Sequence, residues 1–184
     1  RDAVLQLAKD QPFARKLVNS GRLSTPMTYI DSVLNTPDGV PFAGSLAPGA
    51  PAADAPLLCD SEPGWLLRHT GGAFTGIYYA GSTQDAEAIA QAVALANDAI
   101  PVRLLVIAAR GQGGPGMLED SEGLFAARYD VSPGSFYLLR PDQHLCARWR
   151  GFDLQAVRAA VARASGKLAA ESSVAQAAPS MEHA

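Results

Sequence analysis

The run Phe74-Thr75-Gly76-Ile77-Tyr78-Tyr79-Ala80-Gly81-Ser82-Thr83-Gln84-Asp85 carries the decision about the fold. Its first seven residues are mainly aromatic, β-branched or small, the composition of a strand. Ser82, followed three residues later by Asp85, reads as an N-terminal capping box. Helical spacing behind it puts Ala86, Ile89, Ala90 and Val93 on one face. Pro101 closes the connection, and Val102 to Ala108 is an almost wholly apolar run that suits a strand buried on both faces. Strand, helix and strand in this order predict a parallel βαβ unit.

Downstream, a Gly-rich loop (Gly111 to Gly116) leads to a short helix expected over Leu118 to Tyr129. Phe136 to Leu139 and Leu145 to Trp149 flank Arg140-Pro141-Asp142-Gln143-His144, a five-residue hairpin turn in which Asp142 serves the turn. Asp153 caps a last helix whose Leu154, Val157, Val161 and Ala164 face inward. Upstream, Trp65-Leu66-Leu67-Arg68 is strand-like and is separated from Phe74 by Gly71-Gly72. The order from Phe74 is βαβαββα, an α/β domain of thioredoxin-like arrangement expected over residues 64–168. The small, polar tail at 169–184 is expected to fray.

Residues 1–22 have helical spacing (Val4, Leu5, Ala8, then Phe13, Leu17, Val18), interrupted by Pro12 and stopped at Gly21. Between residues 23 and 63 the pattern fails, with prolines at 26, 37, 41, 48, 51, 56 and 63. Such a segment resists helix and interior strand, because each Pro removes a donor and fixes φ. It still carries Met27, Tyr29, Ile30, Val33, Leu34, Phe42, Leu46 and Leu57, so an extended arm packed against something is expected rather than a polar linker.

Composition narrows the function. The chain has 184 residues, 48% hydrophobic and 18% charged, with a formal net charge of −3. That excludes a disordered chain, and leaves no basic excess for nucleic acid or anionic membrane. No apolar run is long enough to span a bilayer. Cys59 and Cys146 lie far apart, outside any metal-ligand spacing, and a reducing, cytoplasmic setting is expected. Arg1 in place of Met, opening directly on a helical pattern, suggests a piece of something longer.

Gly111, Gly113 and Gly116 spell GxGxxG after a buried strand, the spacing of a dinucleotide loop. Pro115 removes one amide that would face a phosphate, and Glu119, Asp120 and Glu122 place like charge beside it. No acid follows about 20 residues on to hold a ribose. A thiol oxidoreductase of this fold needs its cysteine at the start of the first helix. The matching stretch, Ala80-Gly81-Ser82-Thr83-Gln84, has none, which leaves Cys146 or Cys59 as the alternative redox reading. His69, His144 and His183 are scattered and read as surface residues. Arg148-Trp149-Arg150 is a basic-aromatic cluster able to stack on a partner, with Trp149 itself turned inward.

Leu34-Asn35-Thr36-Pro37-Asp38, the Pro48-Gly49-Ala50-Pro51-Ala52-Ala53-Asp54-Ala55-Pro56-Leu57 arm and Leu138-Leu139-Arg140-Pro141-Asp142-Gln143-His144 running into Ala147-Arg148-Trp149 together form a specific combination. Over about residues 1 to 164 the sequence resembles the C-terminal region of the FAD-dependent aromatic hydroxylases, the group of phenol hydroxylase and 3-(3-hydroxyphenyl)propionate hydroxylase. The resemblance implies a parent that uses FAD, NAD(P)H and O₂ to hydroxylate a phenolic ring. It implies no cofactor and no catalytic or metal residue in this chain, since the family's flavin motifs are missing here. The domain would support structure and subunit association, as a homo-oligomer, beside an N-terminal flavin domain. Tyr29, Leu34, Phe42, Leu46, Pro48 and Leu57 are the expected interdomain or subunit interface.

Overall fold

The computed structural model describes residues 26–81 and 85–167. The helical segment expected at 1–22, Ser82 of the capping box, and the tail with His183 lie outside the described residues. The strands are β1 (Pro56–Cys59), β2 (Glu62–Trp65), β3 (Phe74–Ala80), β4 (Val102–Ala109), β5 (Leu118–Asp120), β6 (Phe136–Leu139) and β7 (Leu145–Trp149). The helices are α1 (Asp85–Val93), α2 (Leu124–Tyr129) and α3 (Leu154–Ala164). The strands form one mixed sheet in the order β2-β1-β5-β4-β3-β6-β7, so the molecule is of α/β class.

The βαβ unit forms as the sequence indicates. β3 and β4 pair in parallel from Phe74–Val102 to Ala80–Ala108, and β6 runs antiparallel along the other side of β3. Every residue of β3 is buried, because it lies between two strands and under a layer on each face. Alternation sends Ile77 and Tyr79 to one core with Ile107, Phe125, Tyr129, Tyr137 and Leu145. Phe74, Tyr78 and Ala80 enter the other core, beneath Ala92, Leu95, Val157 and Val161. The hairpin β6–β7 also forms as expected, and Asp153 caps α3 by accepting from the Gln155 and Ala156 amides at 2.8 and 2.9 Å. Arg158 of α3 holds Asp98, at the end of the connection after α1, with two bonds of 2.8 and 2.9 Å.

Four expectations fail, each for a local reason. Trp65 ends β2, and Leu66–His69 is a 3₁₀ turn rather than strand. The Leu66 amide donates to the Ala55 carbonyl at 2.9 Å and the Leu67 amide to Asp54 Oδ1 at 3.0 Å, so no neighbouring strand receives them. Helix α1 is rotated from the expected face: Ala92 is buried and Ala88 and Ile89 half-buried, while Ala86, Ala90 and Val93 are exposed. Leu95, in the 3₁₀ turn that follows, is buried and sets the face where the alanines are ambiguous.

Leu118–Asp120 is a strand, not helix, because it fills the gap between β4 and β1 and pairs with both. The chain turns into helix only at Leu124, where Asp120 accepts from the Phe125 and Ala126 amides at 3.1 and 2.9 Å. The Pro-rich arm also contains an interior strand, β1, which tolerates Pro56 as its first residue. Its hairpin to β2 turns at Asp60 and Ser61, both at positive φ (48° and 69°), and Pro63 sits in the edge strand β2.

Gly76 is required by a close approach. A Cβ there would stand 2.5 Å from Phe136 Cζ, a ring fully buried under β3. Gly76→Ala is therefore expected to lower stability by about 1–3 kcal/mol through overpacking, measured by urea unfolding. An unchanged midpoint would show that the Phe136 ring moves freely.

Candidate interaction surface

The arm does not run away from the domain; it is pinned onto it. The Gly49 amide donates to the Leu145 carbonyl at 2.6 Å, the Leu145 amide to the Ala50 carbonyl at 2.9 Å, and the Ala52 amide to the Gln143 carbonyl at 2.8 Å. Farther along, the Thr36 amide donates to the Cys146 carbonyl at 2.8 Å. The arm thus satisfies the open edge of β7, the place where an unpaired strand would otherwise recruit another chain. It then crosses one face of the sheet, burying Leu46, Ala50 and Ala55, and enters the sheet at its far side as β1.

A charged clamp fixes this path. The Arg148 guanidinium, 4% exposed, gives a bidentate pair to Asp38, with Nε–Oδ1 at 2.9 Å and Nη2–Oδ2 at 2.6 Å, and also donates to the Leu46 carbonyl. Phe42 lies between two guanidiniums, 4.1 Å from Arg148 and 3.9 Å from Arg150. Arg150 in turn pairs with Asp130, whose Oδ2 accepts from the Ala43 amide at 2.7 Å. The basic-aromatic cluster read from Arg148-Trp149-Arg150 therefore stacks on this chain's own arm. Trp149 is half-buried on the opposite face, 6.2 Å from the Phe136 ring.

This placement redistributes the expected interface residues. Leu46, Pro48 and Leu57 are buried inside this chain and are unavailable to a neighbour; Leu34 and Phe42 are half-buried. Tyr29 is 47% exposed, beside the His144 ring at 5.2 Å. The surface also shows Met27, Ile30 and Val33, apolar residues of the arm already visible in the sequence, and Val40, which the sequence does not single out. Together they form an apolar surface on one segment, 27–40. The segment is folded on Gly49, whose φ is +97° and whose carbonyl accepts from the Tyr29 amide at 2.8 Å. A Cβ there would lie 2.7 Å from Asn35 Nδ2, so Gly is required.

The other chemical readings lose their geometry. Gly111 to Gly116 leads into strand β5 rather than a helix, so no helix N-terminus faces the GxGxxG. Cys59 on β1 and Cys146 on β7 are five strands apart, about 24 Å at the usual strand spacing, and both thiols are free. Cys146 is buried, donates to the Leu138 carbonyl at 3.3 Å, and burial pushes its pKa up to about 12. A thiol so shifted is protonated and inert at neutral pH. His69 lies in the 3₁₀ turn after β2, and His144 Nε2 sits 3.0 Å from the Met27 carbonyl. Among the described residues no cluster of His, Cys, Asp or Glu is arranged to hold a metal, and no helix is long and apolar enough to cross a membrane.

Neither a protein-family model nor a curated protein matches the chain. Among solved structures, the architecture recurs in flavin-dependent enzymes. The chain is similar to the flavin-dependent monooxygenase PieE, solved with FAD and substrate, at 22% identity and a TM-score of 0.59 over 87% of this chain. Aklavinone-11 hydroxylase, solved with FAD and aklavinone, is 20% identical with a TM-score of 0.60 over 80%. The rebeccamycin biosynthetic enzyme RebC is 22% identical with a TM-score of 0.50 over 88%. At these identities the likeness is one of fold. The chain spans 31%, 28% and 26% of their respective lengths, under a third in each case.

Two measurements check this surface. The Ala43 amide, followed by the Arg150 guanidinium, holds the Asp130 carboxyl below its ordinary value. A depressed carboxyl contributes stability that is full above its unfolded pKa, about 3.9, and is lost as pH falls through the lower folded value. The Ala43 amide resonance should therefore shift only below about pH 4, and Asp130→Ala, which removes the acceptor, should show the released position already at pH 7. For the thiols, Cys59 should react with a disulfide reagent under native conditions and Cys146 only after unfolding; two fast thiols would contradict the burial.

Proposed function

We propose that this chain is the C-terminal, thioredoxin-like domain of an FAD-dependent monooxygenase that hydroxylates phenolic aromatic compounds, and that the domain itself is non-catalytic. The observation that carries the reading is one of proportion: 87% and 80% of this chain find a counterpart in flavin-dependent enzymes of which the matched part is 31% and 28%. The order β4-β3-β6-β7, with α1 and α3 sharing one core, supports the thioredoxin-like reading. Its usual catalytic position, 80–84, is Ala-Gly-Ser-Thr-Gln and holds no thiol. The Asn35-to-Asp38, Pro48-to-Asp54 and Arg140-to-His144 stretches that resemble the aromatic hydroxylases are the ones that bind the arm to the sheet.

FAD and NAD(P)H would then be bound by an N-terminal flavin domain, and the aromatic substrate, such as 3-(3-hydroxyphenyl)propionate, would be turned over there. The role of this domain is support and association. Arg148 and Arg150 keep the arm rigid, and the arm presents Met27, Tyr29, Ile30 and Val33 as an apolar face for the flavin domain or a second subunit. The setting is cytoplasmic.

The test is made on the polypeptide extended through the upstream reading frame. It should carry a GxGxxG flavin fingerprint, purify with bound FAD and oxidise NAD(P)H when given a phenol. Light scattering should show a dimer or larger species that dissociates on the combined change Met27→Ser, Ile30→Ser and Val33→Ser, with FAD retained. An upstream frame without a flavin fold, or FAD bound by residues 1–184 alone, would overturn the proposal.

A further inference from the structure

The ring of His144 stands between the β6–β7 turn and the start of the apolar segment. Its backbone is fixed by the turn: the amide donates to Asp142 Oδ1 at 3.2 Å, and the carbonyl accepts from the Arg140 amide at 2.8 Å. The side chain is 13% exposed, so the surface residue expected from sequence is largely covered. The Tyr29 ring flanks it, with centroids 5.2 Å apart.

Both ring nitrogens face acceptors. Nδ1 stands 3.2 Å from the Asp142 carbonyl oxygen and 3.5 Å from Asp142 Oδ1, and Nε2 stands 3.0 Å from the Met27 carbonyl oxygen. An imidazolium donates to both sides. A neutral imidazole has one N–H, so it donates to one side and turns a lone pair on the acceptor at the other. Asp142 is the charged group beside the ring, Arg140 pairs with Asp142, and Tyr29 is the titratable side chain of the arm against it. Among the described residues no other carboxylate or cation pairs with this cluster. Burial works against the Asp142 charge, but the Arg140 guanidinium, the His144 amide and then the His144 ring hold its carboxyl below the ordinary value. Asp142 is therefore ionised throughout the range in which histidines titrate, and its two oxygens near Nδ1 keep the last proton on that nitrogen. Deprotonation then leaves Nε2 with a lone pair against the Met27 carbonyl.

The Met27 contact is the one this change releases. Tyr29 and Ile30 are held without the ring, by the Tyr29 amide on the Gly49 carbonyl at 2.8 Å and by Asn35 Nδ2 on their two carbonyls at 2.7 and 3.3 Å. The Met27 carbonyl has no donor except His144 among the described residues. Met27 itself is 68% exposed and forms one end of the apolar surface. We propose that His144 is a pH-operated latch on that surface: its imidazolium ties Met27 to the β6–β7 turn, and loss of the proton frees this end of the segment. The latch is closed on the acid side of the ring's titration and open on the alkaline side. It rests on this geometry alone; its consequence, weaker association as pH rises, rests on the association role proposed above.

The test follows the full 184-residue chain, isotopically labelled, by NMR from about pH 5 to about pH 8.5. The Met27 carbonyl and Thr28 amide resonances are expected to move with the same midpoint as the His144 ring, and to lose that titration in His144→Gln. The co-titration is read on the unaltered chain, so it does not depend on the variant folding. In the polypeptide extended upstream, the association constant should fall about tenfold across the same range, and His144→Gln should abolish the difference. Resonances of Met27 and Thr28 that ignore the ring, or that still titrate in His144→Gln, would overturn the latch. A titrating latch with equal association at both ends of the range would overturn its regulatory consequence. A titrating latch in a polypeptide that never associates would support the latch and count against the association role.

Discussion

The Arg148 guanidinium is the point on which the arrangement of this protein turns. It sits almost wholly out of water, and a charge in that position is tolerable only when paired and hydrogen-bonded. Asp38, the Leu46 carbonyl and the Phe42 ring supply those partners, and all three belong to the arm. Arm and sheet are therefore mutually dependent. Without the arm, β7 has an open edge and the Arg148 guanidinium loses the partners that cover it; without β7, the Pro-rich arm has no reason to adopt one path. The prolines reinforce this, because a chain with few conformations loses less entropy when it is fixed.

A second consequence is a division between the two ends of the arm. Residues 46–57 become core, and β1 closes the sheet on the far side. Residues 27–40 are held in place by Gly49 and Asp38 but keep Met27, Ile30 and Val33 in water. A rigid apolar surface suits association, since little ordering is needed when a partner covers it.

The parts of the fold legible in sequence are those whose signal is local. β3, β4 and the β6–β7 hairpin follow from apolar runs bounded by Gly and Pro, and α3 follows from Asp153 and its periodic face. The lack of a redox thiol is equally local, because a missing cysteine at 80–84 needs no structure to read. The short β5 escapes a sequence reading since three residues carry no period, and the face of α1 is misplaced by it since alanine fits either side. The clamp is half visible: Arg148-Trp149-Arg150 stands out as a cluster, but Phe42 and Asp38, more than a hundred residues earlier, do not.

Sequence by itself determined the α/β class, the order of the central strands and helices, and that residues 80–84 hold no cysteine, all legible within a few turns of chain. Tertiary structure alone decided that the arm folds back on its own sheet and which of its apolar residues stay exposed. Those outcomes depend on contacts between distant segments, where the desolvation of one guanidinium and the unpaired edge of one strand select among paths that local propensity leaves equal.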